Sequence, residues 1–472
     1  MPTPTLPYDV LRNIFGDDDI SDDKSLLEDC SLVCRLWTLA TSPYLFRRLR
    51  LIVSDHKKYT FRKSAVEQFS DILTILRRSE RINSSVQELE LQAYPSGYPN
   101  GSFACPVAML QELICTLPRL QILELTSIDF YPTPEVSIDY DPTKLRSIGR
   151  LGFWLLNKSN QHVAHILRLF DTIGELRIGT CHSNSLEVDL TDRRPVRVER
   201  ITVQPYPRYQ EDEHRNLLEM LSAVLDFSSL TQIVFKDKVR PTFAQVFTKC
   251  HALEVLDLSD VTAPEMRPDC WESNSPCFPL DLSPCTQLRI LRLPEYRLLF
   301  RTHDSSDPPD PLRWQLIRNY LSSVPDENNL EILEFTISFE FDTTMSLFYP
   351  DSWPGVGDVE QDLSAADWDV FDRELCRFKR LRQISFVLQE ACPRGEEFIR
   401  VMQQMLSEWV RRRTYVYRCI TFHRQRSTYR PPEHVKEEIY DEVDRTLQVA
   451  GEGPVTVYET DERGFQILRL SK

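Results

Sequence analysis

Glycine is scarce in this chain: 13 of 472 residues, none arranged as Gly-x-Gly-x-x-Gly or as a P-loop. A doubly wound α/β enzyme uses such a turn after an early strand to bring backbone N–H groups to a phosphate, so that class loses its signature. No Gly-x-Ser-x-Gly elbow and no His-Glu-x-x-His pair occur, which removes the commonest hydrolase and zinc-protease patterns. Cys-x-x-Cys is missing too. The 12 cysteines are scattered, and Cys30, Cys34, Cys115 and Cys250 sit in apolar helical patterns where a free thiol acts as a small hydrophobe. No apolar run approaches the ~18 residues of a membrane span. The start Met1-Pro2-Thr3-Pro4-Thr5 shows no secretory signal. The expectation is a reduced, intracellular protein, cytoplasmic and/or nuclear, with no membrane contact.

Basic charge is short as well. The formal net charge is −15, which argues against nucleic acid as a partner because phosphate neutralisation needs a basic footprint. Charge is segregated near the C-terminal end. Residues 300–372 hold 16 Asp/Glu against 3 Arg, and residues 373–430 hold 14 Lys/Arg against 5 Glu. Within the basic part Arg411, Arg412, Arg413, Tyr415 and Arg418 mix guanidinium groups with an aromatic ring. Such forks suit an acidic or phosphorylated segment of a target. The same residues also fit a solvated face paired with the acidic stretch Asp351–Asp372.

Metal-ligand spacings are equally poor. His162 and His165 stand three apart on an expected helix with no third ligand at a matching distance. Cys270, Cys277 and Cys285 with His251 are spaced too loosely for a zinc ribbon. No metal, no cofactor and no catalytic residue is expected.

What the chain does have is a returning phrase. Leu-x-x-Leu-x-Leu appears at Leu120–Leu125, Leu253–Leu258 and Leu288–Leu293, and with a terminal Phe at Leu330–Phe335. Weaker copies begin at Val86, Leu230 and Leu381. Degenerate ones centre on Leu151/Phe153, Leu176/Ile178, Ile201/Val203 and Ile420/Phe422. The last two apolar residues of each copy are one apart, so they share one side of a short strand. The residue between them (Glu124, Asp257, Arg292, Glu334) points to the other side, onto a solvated face. The apolar residue three positions upstream packs where the preceding segment ends. Amphipathic helices are predicted in the gaps at Ala65–Arg78, Ala108–Leu117, Val163–Ile173, Asn216–Phe227, Phe243–Cys250, Leu312–Leu321, Phe371–Phe378 and Phe398–Val410.

One helix plus one short strand cannot bury its own stripe, whereas stacked units share a continuous core. The pattern over residues 84–425 resembles the leucine-rich repeat, although the Asn or Cys that usually follows the strand is mostly missing. Marker spacings from Leu123 run 28, 25, 25, 32 and 23 residues, then 35, 42, 51 and 36. Strand register after residue 295 therefore stays open. The tail reads as a helix over Pro432–Val449, then a hairpin of Val455–Tyr458 with Phe465–Leu468 that would cap the stack.

The N-terminal fifty residues carry the most specific pattern: Leu6-Pro7-Tyr8-Asp9-Val10-Leu11, then Ile14-Phe15, an acidic spacer, and Ser31-Leu32-Val33-Cys34-Arg35-Leu36-Trp37. Val10, Leu11, Ile14 and Phe15 fall on one face of a short helix opened by Pro7, and Leu26, Cys30, Val33, Trp37 and Ala40 recur at three and four. So much apolar surface exceeds what so small a module buries alone, and some of it should face a partner. This segment resembles an F-box, with Asp9 where Glu is usual and a longer spacer. The resemblance implies a three-helix module over residues 1–50 that docks on the Skp adaptor of a cullin-RING ubiquitin ligase. Its matching positions are Leu6, Pro7, Val10, Ile14, Phe15, Val33 and Trp37, divided between module core and adaptor contact.

The expected fold is thus α/β: a three-helix F-box, then an irregular leucine-rich-repeat solenoid of alternating helices and short parallel strands over residues 51–472. The expected function is that of a non-enzymatic substrate receptor, with an unknown protein target on the repeat surface. Two alternatives are a repeat scaffold with no ubiquitin role and an α/β hydrolase or transferase with a site assembled from distant residues.

Overall fold

The computed structural model describes residues 7–16, 23–54, 65–94, 103–131, 146–154, 160–179, 194–204, 211–236, 244–260, 281–293, 296–300, 318–326, 328–341, 374–375, 377–381, 383–390, 419–426, 456–460 and 466–470. Leu6, the Arg411–Arg418 cluster, the 351–372 stretch, Cys270 and Cys277 lie outside these, as do the expected helices 398–410 and 432–449. The chain forms two compact units, Met1–Leu230 and Thr231–Lys472.

The first unit opens with three helices. Helix α1 (Tyr8–Phe15) starts behind Pro7, whose φ of −56° is already set for a first turn. Helix α2 (Lys24–Val33) is capped by Asp23, whose Oδ1 accepts from Leu26 N–H at 3.0 Å. Cys34 is fully extended, so the chain breaks there before α3 (Arg35–Leu45). Thr38 Oγ1 crosses the break and donates to Ser31 O at 2.7 Å.

Elements then alternate: β1 (Arg48–Ser54), α4 (Ala65–Arg78), α5 (Glu80–Asn83), β2 (Glu88–Tyr94), β3 (Phe103–Pro106), α6 (Val107–Thr116), β4 (Ile122–Thr126), β5 (Ile128–Tyr131), β6 (Arg146–Trp154), α7 (Asn160–Leu167), β7 (Phe170–Ile178), β8 (Val196–Val203), α8 (Glu211–Val224) and β9 (Leu225–Asp226). The main strands lie in the order β1-β2-β4-β6-β7-β8, all parallel, with β9 beside β8 and a separate pair β3-β5.

Register follows the marker residues. Leu89 pairs with Leu123, Leu123 with Leu151, Leu151 with Leu176, and Leu176 with Ile201. All five are buried, as are their partners two along: Leu91, Leu125, Phe153, Ile178 and Val203. Period-two alternation thus places one row against the helices and its neighbour outward. On the helix side sit Phe69, Leu73 and Leu76 of α4, Leu110, Leu113 and Ile114 of α6, and Val163, Ile166 and Leu167 of α7. Helix α4 touches α6, α6 touches α7 and α7 touches α8.

Two expected helices are corrected: in place of Asn216–Phe227, α8 ends at Val224 and Leu225–Asp226 form β9. Instead of continuing to Ile173, α7 stops at Leu167 and β7 begins at Phe170. Phe170 and Ile173 satisfy helical spacing, but both are buried as strand residues because Arg146 and Ile148 of β6 offer them ladder partners. Pairing available in space overrides local periodicity.

In the second unit β10 (Gln232–Lys236), α9 (Ala244–Phe247), β11 (Val255–Asp260), β12 (Ile290–Arg292), β13 (Tyr296–Phe300), β14 (Ile332–Phe341), β15 (Gln383–Glu390), β16 (Cys419–Arg426), β17 (Thr456–Thr460) and β18 (Gln466–Leu470) follow. Their order is β10-β11-β12-β14-β15-β16-β18-β17, with β13 beside the later half of β14. Ladders are parallel through β16, and β18 and β17 join antiparallel as the expected hairpin. Ile233, Leu256, Leu291, Leu333, Ile384 and Ile420 align in one continuous row despite unequal spacing. The register that stayed open after residue 295 is therefore set by the same marker residues.

The upstream apolar residue has a repeated backbone role. Leu120, Leu230, Leu253, Leu288 and Leu381 each donate N–H to the carbonyl three residues earlier, at 3.1–3.3 Å. That turn brings the chain from the preceding segment into the strand, and Leu230, Leu253 and Leu288 are fully buried there.

Candidate functional site

The four apolar residues of α1 divide. Leu11 and Phe15 are buried with Leu27 and Ala40 in a core completed by Cys30, Leu36, Trp37, Tyr44 and Leu45. Phe15 meets Trp37 edge-on, ring centroids 5.5 Å apart at 68°. Val10 and Ile14, also four apart, are each 41% exposed. The single apolar face expected for α1 is thus split into a core pair and an uncovered pair. Along α2 the same happens: Leu27 is buried, while Leu26, Leu32 and Val33 are exposed, Leu32 to 83%.

Of the predicted contact residues, Pro7, Val10, Ile14 and Val33 are exposed, Trp37 is half-buried, and Phe15 is core. Leu32 was overlooked; it is the most exposed of the large apolar side chains in the three helices and follows Ser31 directly in the matched pattern. Gly16 lets α1 end closely against α3: a Cβ there would lie 2.8 Å from the Tyr44 hydroxyl. That hydroxyl donates to Arg12 O at 3.1 Å. Two further links tie the three helices to β1 and α5. Lys24 Nζ donates to Arg48 O on β1 at 3.1 Å, and the Arg81 guanidinium of α5 donates to Thr38 O and Ser42 Oγ.

A second surface is the outward side of the strands, where the expected row of solvated carboxylates is corrected. Asp257 is only 8% exposed. Its Oδ2 accepts from Arg292 Nη1 at 2.7 Å, and Arg292 Nε lies 3.2 Å from Glu334 Oε1. Register explains this: Asp257 pairs with Arg292, and Arg292 with Glu334. One guanidinium therefore sits between two carboxylates from the strands on either side. Burial pushes the Glu334 carboxyl above its ordinary value, against the Arg292 charge and with the Asp257 charge. Just before the strands, Arg289 likewise lies between Glu254 (3.7 Å) and Glu331 (3.2 Å).

In the first unit Glu124 accepts from Trp154 Nε1 at 2.7 Å and pairs with Arg150 at 3.2 Å. Gly152, opposite it on β6, makes room, since a Cβ there would fall 2.6 Å from Glu124 Cδ. Glu175 is held by Arg177 at 2.9 Å, and Thr202 Oγ1 donates to it at 3.3 Å. Burial alone would raise its carboxyl, but Arg177, Arg200 and Thr202 outweigh that and hold it below the usual carboxylate range.

Among the described residues the thiols and imidazoles form no metal-holding group, although Cys250 and Cys285 lie near enough to interact. Cys105, Cys250 and Cys285 are buried, and burial pushes each thiol up to about 12. His251 is exposed, one ring nitrogen 3.4 Å from Pro284 O. Among the described residues no group of three or more His, Cys, Asp or Glu is placed to hold a metal ion, and no helix is long and apolar enough to cross a membrane.

No protein-family model matches this chain, and no curated protein matches it.

Proposed function

We propose that this chain is the substrate-receptor subunit of a cullin-RING ubiquitin ligase of the SCF type. In this reading residues 1–50 are an F-box that holds the Skp adaptor, and residues 51–472 are an irregular leucine-rich-repeat solenoid that presents a protein target. The observation that carries it is the division within α1. Leu11 and Phe15 make the core of the three helices, while Val10 and Ile14, which belong to the matched pattern, are left uncovered together with Pro7 and Val33. Apolar side chains that stay exposed together on a segment that already has a core are what a surface for another polypeptide would show.

The chain then acts by proximity. Holding adaptor and target on one body turns ubiquitin transfer into an effectively intramolecular encounter and asks no catalytic group of this chain. The links Lys24–Arg48 and Arg81–Thr38 tie the three helices to the strand and helix that follow them. A pull-down with the Skp adaptor tests the proposal. Wild type should retain the adaptor and the Pro7→Ala/Ile14→Ala variant should lose it; no retention by wild type would favour a repeat scaffold without a ubiquitin role.

A further inference from the structure

Strand β1 ends the first unit's strand order: among the described residues its one strand neighbour is β2. Glu88 N–H donates to Arg47 O. The alternation of a parallel ladder therefore turns the N–H and C=O of Leu49 and Leu51 toward β2, and those of Arg48, Arg50 and Ile52 away from it. Lys24 Nζ meets Arg48 O on that outer side. A second observation agrees. Leu89 and Leu91 on β2 are 1% and 0% exposed, yet their register partners Leu49 and Leu51 are only half-buried, although Val53, next in the same row, is fully buried. Among the described residues Leu49 and Leu51 lack the cover that Leu89 and Leu91 have.

Charge says what would fit. Arg48 lies 3.0 Å from Glu88 and Arg50 lies 3.2 Å from Glu90, and both guanidinium side chains remain half-exposed. In the second unit an Arg in the same register relation takes a carboxylate on either side: Arg292 lies between Asp257 and Glu334, and Arg289 between Glu254 and Glu331. We infer that the outer edge of β1 accepts an extended segment of a partner protein in which acidic and apolar residues alternate, added as a further strand. Its acidic residues lie across from Arg50, beyond the Arg48 carbonyl that Lys24 already occupies, and its apolar residues extend the row at Leu51. A second copy of this chain does not fit, because joining two β1 edges sets Arg against Arg, and like charges directly opposite are destabilising. The inference uses none of Pro7, Val10, Ile14 or Val33, so its test does not depend on the adaptor.

The test uses the full chain and three fluorescent peptides: alternating Glu and Leu, alternating Lys and Leu, and the Glu–Leu peptide with Pro at alternate positions. Fluorescence anisotropy should show saturable binding of the Glu–Leu peptide alone, with slowed hydrogen exchange at the Arg50 and Ile52 amides. Arg50→Glu should weaken that peptide by about tenfold, from reversal of a cross-strand charge pair. Because Arg50→Glu also disturbs Glu90, Ile52→Pro is the second variant. The N–H it removes faces away from β2, and an edge strand tolerates Pro at such a position, so β2 exchange should stay unchanged while binding is abolished. Equal binding of all three peptides, no saturable binding, or binding unaffected by Ile52→Pro overturns the inference. Sedimentation showing a dimer that Ile52→Pro dissolves would assign the edge to a second copy and overturn it too.

Discussion

Trp37 stands edge-on to Phe15, centroids 5.5 Å apart, at the point where α3 crosses α1. The contact ties the two ends of the N-terminal pattern to each other, and it separates residues that build the three helices from residues they leave bare. Trp37→Ala should therefore destabilise the chain by about 2–3 kcal/mol, less than the full loss of a wholly buried aromatic because Trp37 is half-buried. Val10→Ala and Ile14→Ala should each stay within about 0.5 kcal/mol, as exposed positions do. Chemical denaturation of the three variants checks this; equal losses at all three would place Val10 and Ile14 in the core.

Arg292 serves two carboxylates, so removing it leaves both without their shared cation. Arg292→Met should cost about 2 kcal/mol, reduced from the value for a fully buried pair because Arg292 is partly exposed. Glu334→Gln should cost less than Arg292→Met at neutral pH, since Glu334 is the member that burial already disfavours in its charged form. Urea melts of both variants give the comparison directly.

The two perturbed carboxyls should titrate in opposite senses. Glu334 has its folded value raised, so the folded state binds the extra proton first. Its contribution to stability improves as pH falls from neutral through the raised value toward the ordinary carboxylate value. Glu175 has its folded value lowered. Its contribution is present above the ordinary carboxylate value and is lost as pH falls from there through the lowered one. Side-chain carboxyl NMR should find Glu334 titrating above, and Glu175 below, an exposed Glu. The reverse order would contradict the burial and pairing described for them.

Gly152 matters because of what lies over it. Gly152→Ala should push the Glu124 carboxylate off Trp154 and cost about 1 kcal/mol, the worth of a hydrogen bond to a charged group that can partly re-solvate. In a Glu124→Ala background the same change should cost almost nothing, because the overlap is gone. A double-mutant cycle followed by indole fluorescence measures the coupling.

Thiol labelling offers a check on the core. Cys34 and Cys115 are exposed, whereas Cys105, Cys250 and Cys285 are buried with thiols held up to about 12. A maleimide should modify the first two in the native protein and reach the other three only on unfolding.

Much of the strand layout was legible because its signal is doubly determined: two apolar residues one apart, and a third three earlier that makes the same turn each time. Leu253-Leu256-Leu258 and Leu288-Leu291-Leu293 are enough to set the β11–β12 register. Strand β1 was missed because it follows α3 with almost no loop and lacks that upstream residue. β13 was missed because it pairs with the far half of β14 and carries no marker phrase. The ion pairs were illegible for a different reason. Asp257 and Arg292 are 35 residues apart and become neighbours only through register, so charges that look solvated along the chain are partnered across it. Within α1 the spacing named the apolar residues but not their side; which i, i+4 pair turns inward depends on where α3 lies.

The most direct test of the central claim is calorimetric titration of the purified Skp adaptor into the full chain and into Val10→Asp/Ile14→Asp. The account predicts saturable one-to-one binding by the wild-type chain. It predicts at least a hundredfold weaker binding by the variant, from burying two charges in an apolar contact, with the unfolding midpoint unchanged. Failure of the wild-type chain to bind, or binding that the two substitutions leave intact, would contradict it.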